Sequence, residues 1–145
     1  MRGGIAIVVL ALAGCGAGTG EGLDQNGQPL AGGGSPVTTL EPTLDSIQAN
    51  VFSVSCAIPG CHGGGTVQFG LRLDPGFSAG NLINVASPQD PTLIRVIPGN
   101  SDSSFLIHKL DGTQTIGMRM PAFSPPLPQG TIDVIRQWIQ DGAPQ

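Results

Sequence analysis

The sequence predicts a small, mainly α-helical domain with a helix near each end and irregular, proline- and glycine-rich connections between them. Ile47, Val51 and Val54 recur at positions i, i+4 and i+7, which lie on one face of a helix. A second amphipathic stretch lies near the carboxy terminus: Ile132, Ile135, Trp138 and Ile139. The 145 residues include 23 glycines and 13 prolines, which interrupt regular structure elsewhere. This length allows one domain of ordinary size.

The amino terminus has the features of an export signal. Arg2 precedes an unbroken apolar run over residues 5–13, which is too short to cross a bilayer. The ending Leu12-Ala13-Gly14-Cys15 resembles a bacterial lipobox. That resemblance implies a signal peptide over residues 1–14 and acylation of Cys15. Gly16 replaces the aspartate that retains lipoproteins at the inner membrane, which favours the outer membrane, on its periplasmic or surface face. The alternative is an ordinary secretory signal and a periplasmic protein.

Residues 15–42 are expected to form a flexible tether after the lipidated cysteine. They are rich in glycine and proline and show no apolar period, so they cannot bury enough surface to offset their ordering entropy. The folded domain then spans residues 43–145. A net charge of −4 and an isoelectric point near 4.7 argue against a nucleic-acid partner.

The first helix is expected to begin with Thr43 or Asp45 as its cap and to end near Ser55, because Pro59-Gly60 cannot continue it. The last helix is expected over residues 131–140, with Gly142 just beyond its end.

Between the helices, residues 71–73 and 93–97 are expected to be extended, and Phe105, Leu106 and Leu110 indicate a short helix. Two clear helices with long connections provide little core of their own. The domain is therefore expected to fold around a ligand.

The cysteines after the first helix indicate the ligand. Cys56, Cys61 and His62 form a Cys-x4-Cys-His pattern, a variant of the Cys-x-x-Cys-His pattern of covalent haem attachment. A turn at Pro59-Gly60 could absorb the two additional residues. A Cys56–Cys61 disulfide is a serious alternative in an exported protein. Zinc is a weaker one, because the pattern supplies three ligands and the only other histidine, His108, lies in an apolar stretch.

A methionine lies about sixty residues downstream in the sequence Gly117-Met118-Arg119-Met120-Pro121. Histidine on one face of a haem and methionine on the other make a six-coordinate electron-transfer site with a raised potential. A methionine before a proline, taken alone, is more often a packing residue.

Several segments together resemble the bacterial c-type cytochrome domains of the planctomycete-cytochrome type. The resemblance runs in order through nearly all of residues 43–145. Its segments are IQANVF (47–52), the cysteine pattern, GLRLD (70–74), LIRVIPGN (93–100), SFLIHKL (104–110), RMP (119–121), PPLP (125–128) and IRQWIQDGA (135–143).

The resemblance implies a cytochrome-c-like fold and one covalently attached haem c. It implies thioether bonds at Cys56 and Cys61, His62 as the proximal iron ligand and Met120 as the distal one. Met118 falls outside the Arg-Met-Pro motif and is the weaker candidate. Whether the four-residue spacing permits both thioethers stays open.

Other side chains are candidates for the surroundings of the haem. Four could shield the ring, although a place in the core explains each of them equally well: Phe52, Phe105, Leu127 and Trp138. Arg72 and Arg95 could pair with the haem propionates, with exposure at the surface as the alternative.

The expected function is electron transfer to and from redox partner proteins, without enzymatic activity, because His62 and Met120 together leave no open position on the iron. One alternative is a haem-free exported lipoprotein with a Cys56–Cys61 disulfide, acting as a structural or interaction domain. Another is a sensor or catalytic haem from which a small ligand displaces Met120. The sequence leaves the oligomeric state and the redox partners open.

Overall fold

A computed structural model describes residues 39–145. The predicted signal peptide, the predicted lipidation site Cys15 and most of the predicted tether lie outside these residues. Within them, no helix has the length and apolar character needed to cross a membrane.

The described fold is mixed α/β, so the prediction of a mainly α-helical, cytochrome-c-like fold is wrong. Helices account for only 37% of it, and two strands form an antiparallel sheet. The strands are β1 (Ala86–Ser87) and β2 (Asp90–Ile94), joined by the two-residue turn Pro88-Gln89. The physical reason is that the long connections cannot continue as helix through their prolines and glycines. One of them folds back on itself as a hairpin instead.

The amino-terminal helix changes its hydrogen-bonding pattern along its length. It starts as α1 (Leu44–Ile47) and continues as a π-helix (Gln48–Cys56). Thr43 is its cap, with its hydroxyl accepting from the Ser46 amide at 3.3 Å, which confirms one of the two predicted caps. The helix ends one residue beyond the predicted Ser55.

The π-helix also explains an error in the predicted apolar face. Ile47, Val51 and Phe52 are buried, whereas Val54 is 64% exposed. The wider turn, with hydrogen bonds from residue i to i−5, moves Val54 off the face on which an α-helical period places it. The same geometry ends the helix, where the Ala57 amide donates to the Phe52 carbonyl at 2.7 Å.

Two further short helices, α2 (Ser78–Leu82) and α3 (Phe105–Asp111), lie before and after the hairpin. The predicted helix around Phe105 and Leu110 is thereby confirmed. The extended segment predicted over residues 93–97 is partly confirmed, because β2 covers its first two residues.

The carboxy-terminal helix α4 (Gln129–Gln140) begins two residues before its predicted start and ends where predicted. Gly142, with φ +96°, donates to the Ile139 carbonyl, and Ala143 donates to that of Trp138. This pair of bonds is a Schellman motif, the C-cap that favours glycine at this position.

α4 packs on α3, and the core combines buried side chains of these two helices, the amino-terminal helix and the segments between them. Its members are fully or almost fully buried: Ile47, Val51, Phe52, Leu73, Leu82, Val96, Ile107, Leu110, Ile132, Ile135, Trp138, Ile139 and Ala143.

Candidate functional site

A cavity of about 560 Å³ lies beside this core, bounded by the π-helix, α3, residues 58–73 and residues 117–127. Cofactor and ligand sites typically enclose about 300–1,000 Å³. Cys56, Cys61, His62 and Met120 all line it. The structure therefore brings together four residues that span more than sixty positions of the sequence.

The two cysteines are placed by the end of the π-helix and the loop that follows it, residues 56–63, here called the cysteine loop. Within it, the Cys61 amide donates to the Ile58 carbonyl at 2.9 Å, and Gly60 has φ +84°. Proline and a left-handed glycine at the two central positions are typical of a type II turn. The predicted Pro59-Gly60 turn is confirmed, and it lies between the two cysteines.

The cysteine loop closes on itself after His62. The His62 amide donates to the Cys56 carbonyl at 3.2 Å. A β-carbon on Gly63 would lie 2.2 Å from the Ala57 carbonyl oxygen, so only glycine permits this close approach of the two backbones.

The imidazole of His62 is oriented by a backbone carbonyl. Its Nδ1 lies 3.1 Å from the Leu71 oxygen, which can only accept, so Nδ1 carries the proton and Nε2 keeps its lone pair. The Leu73 amide donates to the His62 carbonyl at 2.7 Å, so residues 71–73 hold both the backbone and the side chain of His62. Residues 71–73 form no strand, but Leu71 has an extended backbone, and the segment supports the histidine.

The electrostatic surroundings of His62 favour the neutral imidazole. Burial lowers its pKa, and the hydrogen bond to Leu71 raises it. The positive charges of Arg95 and Lys109 lower the pKa further. A neutral imidazole with a free Nε2 is the form that binds a metal.

The thiols differ in exposure. Cys56 is half-buried, and burial, followed by the neighbouring Cys61, raises its pKa from 9.0 to about 11. Cys61 is exposed, and both cysteines are free thiols in the structure.

The two methionines that line the cavity differ in exposure and packing. Met120 packs against the core, and its amide donates to the Lys109 carbonyl at 2.8 Å. Met118 also lines the cavity, but it is 50% exposed. Only Met120 therefore combines a place in the cavity wall with packing that would hold its sulfur in position.

The other predicted residues separate into two groups. Phe52, Phe105 and Leu127 line the cavity, whereas Trp138 belongs to the core alone. His108 lies outside the cavity, with its Nδ1 at 2.9 Å from the Thr113 hydroxyl.

The two arginines proposed for the haem propionates differ in their position relative to the cavity. Arg95 lines the cavity, but Arg72 pairs with Asp74 at 2.7 Å and stacks on Phe77, away from the cavity. Sequence reasoning missed Lys109, which is 8% exposed and lines the cavity. A lysine at the end of an apolar helical run was the only available signal.

No family model, curated protein or solved structure matches the chain. Within residues 39–145, histidine, cysteine and carboxylate side chains do not gather in a group of three or more that could hold a metal ion.

Proposed function

We propose that this protein is an electron-transfer lipoprotein that carries one covalent haem c. Cys56 and Cys61 would hold the porphyrin through thioether bonds, and His62 and Met120 would be the axial ligands of the iron. The haem iron, when bound, supplies one-electron redox chemistry.

The hydrogen bond from His62 Nδ1 to the Leu71 carbonyl carries the proposal. Histidines that bind metals almost always donate their other ring N–H to a carbonyl or carboxylate, which fixes the tautomer and the ring orientation. In this protein the 3.1 Å contact leaves Nε2 as the ligand atom of a residue that lines a cavity.

The cavity fits a large apolar cofactor. Its walls are mostly aliphatic and aromatic side chains, including Phe52, Phe105 and Leu127, and no aspartate or glutamate is among the residues described as lining it. These side chains would exclude water from a bound haem iron, and the neutral Met120 thioether would favour its reduced form. Both effects suit electron transfer.

The export part of the proposal concerns residues beyond the described ones. Cleavage after Gly14 and acylation of Cys15 would anchor the protein to the outer membrane, because two or more acyl chains give stable membrane binding. Redox proteins of the envelope are the partners that we propose for a domain tethered in this way. With both axial positions filled, we propose no enzymatic activity.

Co-expression of the full chain with a haem-attachment system, followed by a pyridine haemochrome assay, tests the proposal. We expect one covalent haem per chain and loss of its attachment in a Cys56→Ala/Cys61→Ala double variant. A Cys61→Ala variant shows whether one thioether is sufficient. A wild-type chain without haem and with a Cys56–Cys61 disulfide would instead establish the haem-free alternative.

A further inference from the structure

Two buried cations face a cavity whose walls are mostly apolar. Arg95 is 6% exposed and Lys109 is 8% exposed, and both line the cavity. Carboxylates are absent from the described lining of this cavity.

The guanidinium of Arg95 is held by backbone carbonyls. One terminal nitrogen donates to the Asn81 oxygen and the other to the Phe69 oxygen, each at 2.7 Å. A guanidinium has five N–H groups, so these two bonds leave three for another acceptor. The carbonyls fix the orientation of the side chain but do not neutralise its charge.

The ammonium of Lys109 is held in the same manner. It donates to the Ile116 oxygen at 2.7 Å and to the Met118 oxygen at 3.3 Å, and it lies 5.0 Å from the centre of the Phe105 ring. A β-carbon on Gly117 would lie 2.5 Å from Nζ, so glycine leaves the room that the ammonium occupies. One of the three N–H groups is left for another acceptor.

Neither charge is balanced by an ion pair. The ion pairs found among residues 39–145 involve Arg72 and Arg136 instead. Burial lowers the pKa of both Arg95 and Lys109, as expected for cations removed from water. A buried charge without a counter-charge costs several kcal/mol, which an anion placed in the cavity would offset.

We propose that Arg95 and Lys109 form a subsite for the ionised carboxylates of the ligand that occupies this cavity. The inference rests on the proposed function, in which these carboxylates are the propionates of the haem. Arg95 offers a planar set of donors suited to a carboxylate, and Lys109 offers a single point charge. Both side chains would contact the ligand directly, and their positive charges would favour the reduced state of the iron and raise the reduction potential.

The test uses the membrane-anchored holoprotein and compares charge-removing with charge-conserving variants. Arg95→Met and Lys109→Met should lower the midpoint potential, while the Met–iron absorption band is retained. Arg95→Lys and Lys109→Arg should restore most of the difference. Arg136→Met is the matched control, because Arg136 pairs with Asp102 and Asp111 and does not line the cavity, and it should leave the potential unchanged.

Resonance Raman spectra of the wild-type holoprotein provide a second measurement that needs no variant. Propionate bending modes should have the frequencies of propionates that accept strong hydrogen bonds. Propionate modes typical of water exposure would overturn the subsite and leave the haem proposal intact. Midpoint potentials of Arg95→Met and Lys109→Met equal to that of Arg136→Met would do the same. A wild-type chain without covalent haem overturns the proposed function itself.

Discussion

The carboxy-terminal helix and the cysteine loop both lie against apolar surface, but only the helix fills the space that it covers. Ile132, Ile135, Trp138 and Ile139 of α4 are completely buried. Around the cysteine loop, Ile58 and Phe69 line the cavity and are about half exposed. Apolar side chains that face a cavity gain less than side chains that face each other, because they lack contacts on one side.

This difference indicates that the two regions contribute differently to stability and to the cofactor site. Ile132, Trp138 and Ile139 of α4 are buried away from the cavity and stabilise the fold without a ligand, whereas Ile135 also lines the cavity. The cysteine-loop side orders its polar backbone groups through turns and through the contacts of His62 with residues 71–73. Variants of the two regions should therefore differ in kind: those of α4 change stability, and those of the loop and cavity change the cofactor site.

Trp138→Ala should have the largest effect. The side chain is completely buried, and its indole N–H donates to the Pro144 carbonyl at 3.0 Å. We expect the free energy of unfolding to fall by about 3–5 kcal/mol, since a large cavity is created in the core. Urea unfolding followed by circular dichroism measures it. The control Phe123→Ala, at a residue that is 94% exposed, should stay within about 0.5 kcal/mol of wild type.

Met120→Ala should affect the cofactor more than the fold. If Met120 is the distal ligand, its removal abolishes the Met–iron absorption band and lowers the potential by on the order of 100 mV, equivalent to about 2.3 kcal/mol. Potentiometric titration with optical detection measures both. Met118→Ala is the matched control at the exposed end of the cavity. If Met118→Ala abolishes the band and Met120→Ala does not, Met118 and not Met120 is the distal ligand.

Gly63→Ala tests the close approach inside the cysteine loop. The new β-carbon would overlap the Ala57 carbonyl, and relieving the overlap should cost about 1–3 kcal/mol and reduce the yield of covalent haem. Gly65 has nothing within 4 Å of the corresponding position, so Gly65→Ala should behave like wild type. Equal stability and equal haem yield in the two variants would show that the loop tolerates displacement.

The smallest effect is expected in the alkylation rate of Cys56 in the haem-free chain. At pH 8, a pKa near 11 instead of 9.0 leaves Cys56 about a hundredfold less thiolate, which its greater intrinsic nucleophilicity partly offsets. We expect Cys56 to react with iodoacetamide about tenfold more slowly in the native chain than in urea. Peptide mapping by mass spectrometry measures both cysteines at once. No change of the Cys56 rate on unfolding would contradict its burial.

Local chemistry made parts of the fold predictable. The Thr43 cap, the Pro59-Gly60 turn and the Gly142 C-cap each depend on neighbours within a few residues, and all three form as expected. The α4 face was also predictable, because its period is regular. Val54 was not, since nothing in the local sequence marks the change from α- to π-helical hydrogen bonding.

The hairpin of β1 and β2 was missed for a related reason. Its turn is Pro88-Gln89, without the glycine or asparagine that usually marks a two-residue connection. Its strands are also short, with a bulge between Ala86 and Ser87. The prediction of a mainly helical fold followed from the two strong helical patterns and had no signal to correct it.

The sequence by itself determined which residues could bind a cofactor, because Cys56, Cys61, His62 and Met120 have the chemistry for it wherever they lie. Only the tertiary structure decided that all four line one cavity, and that Arg95 and Lys109 face it while Arg72 does not. The physical reason is distance along the chain. Spacing constrains side chains within one turn or helix, whereas the meeting of residues sixty positions apart depends on how the whole core packs.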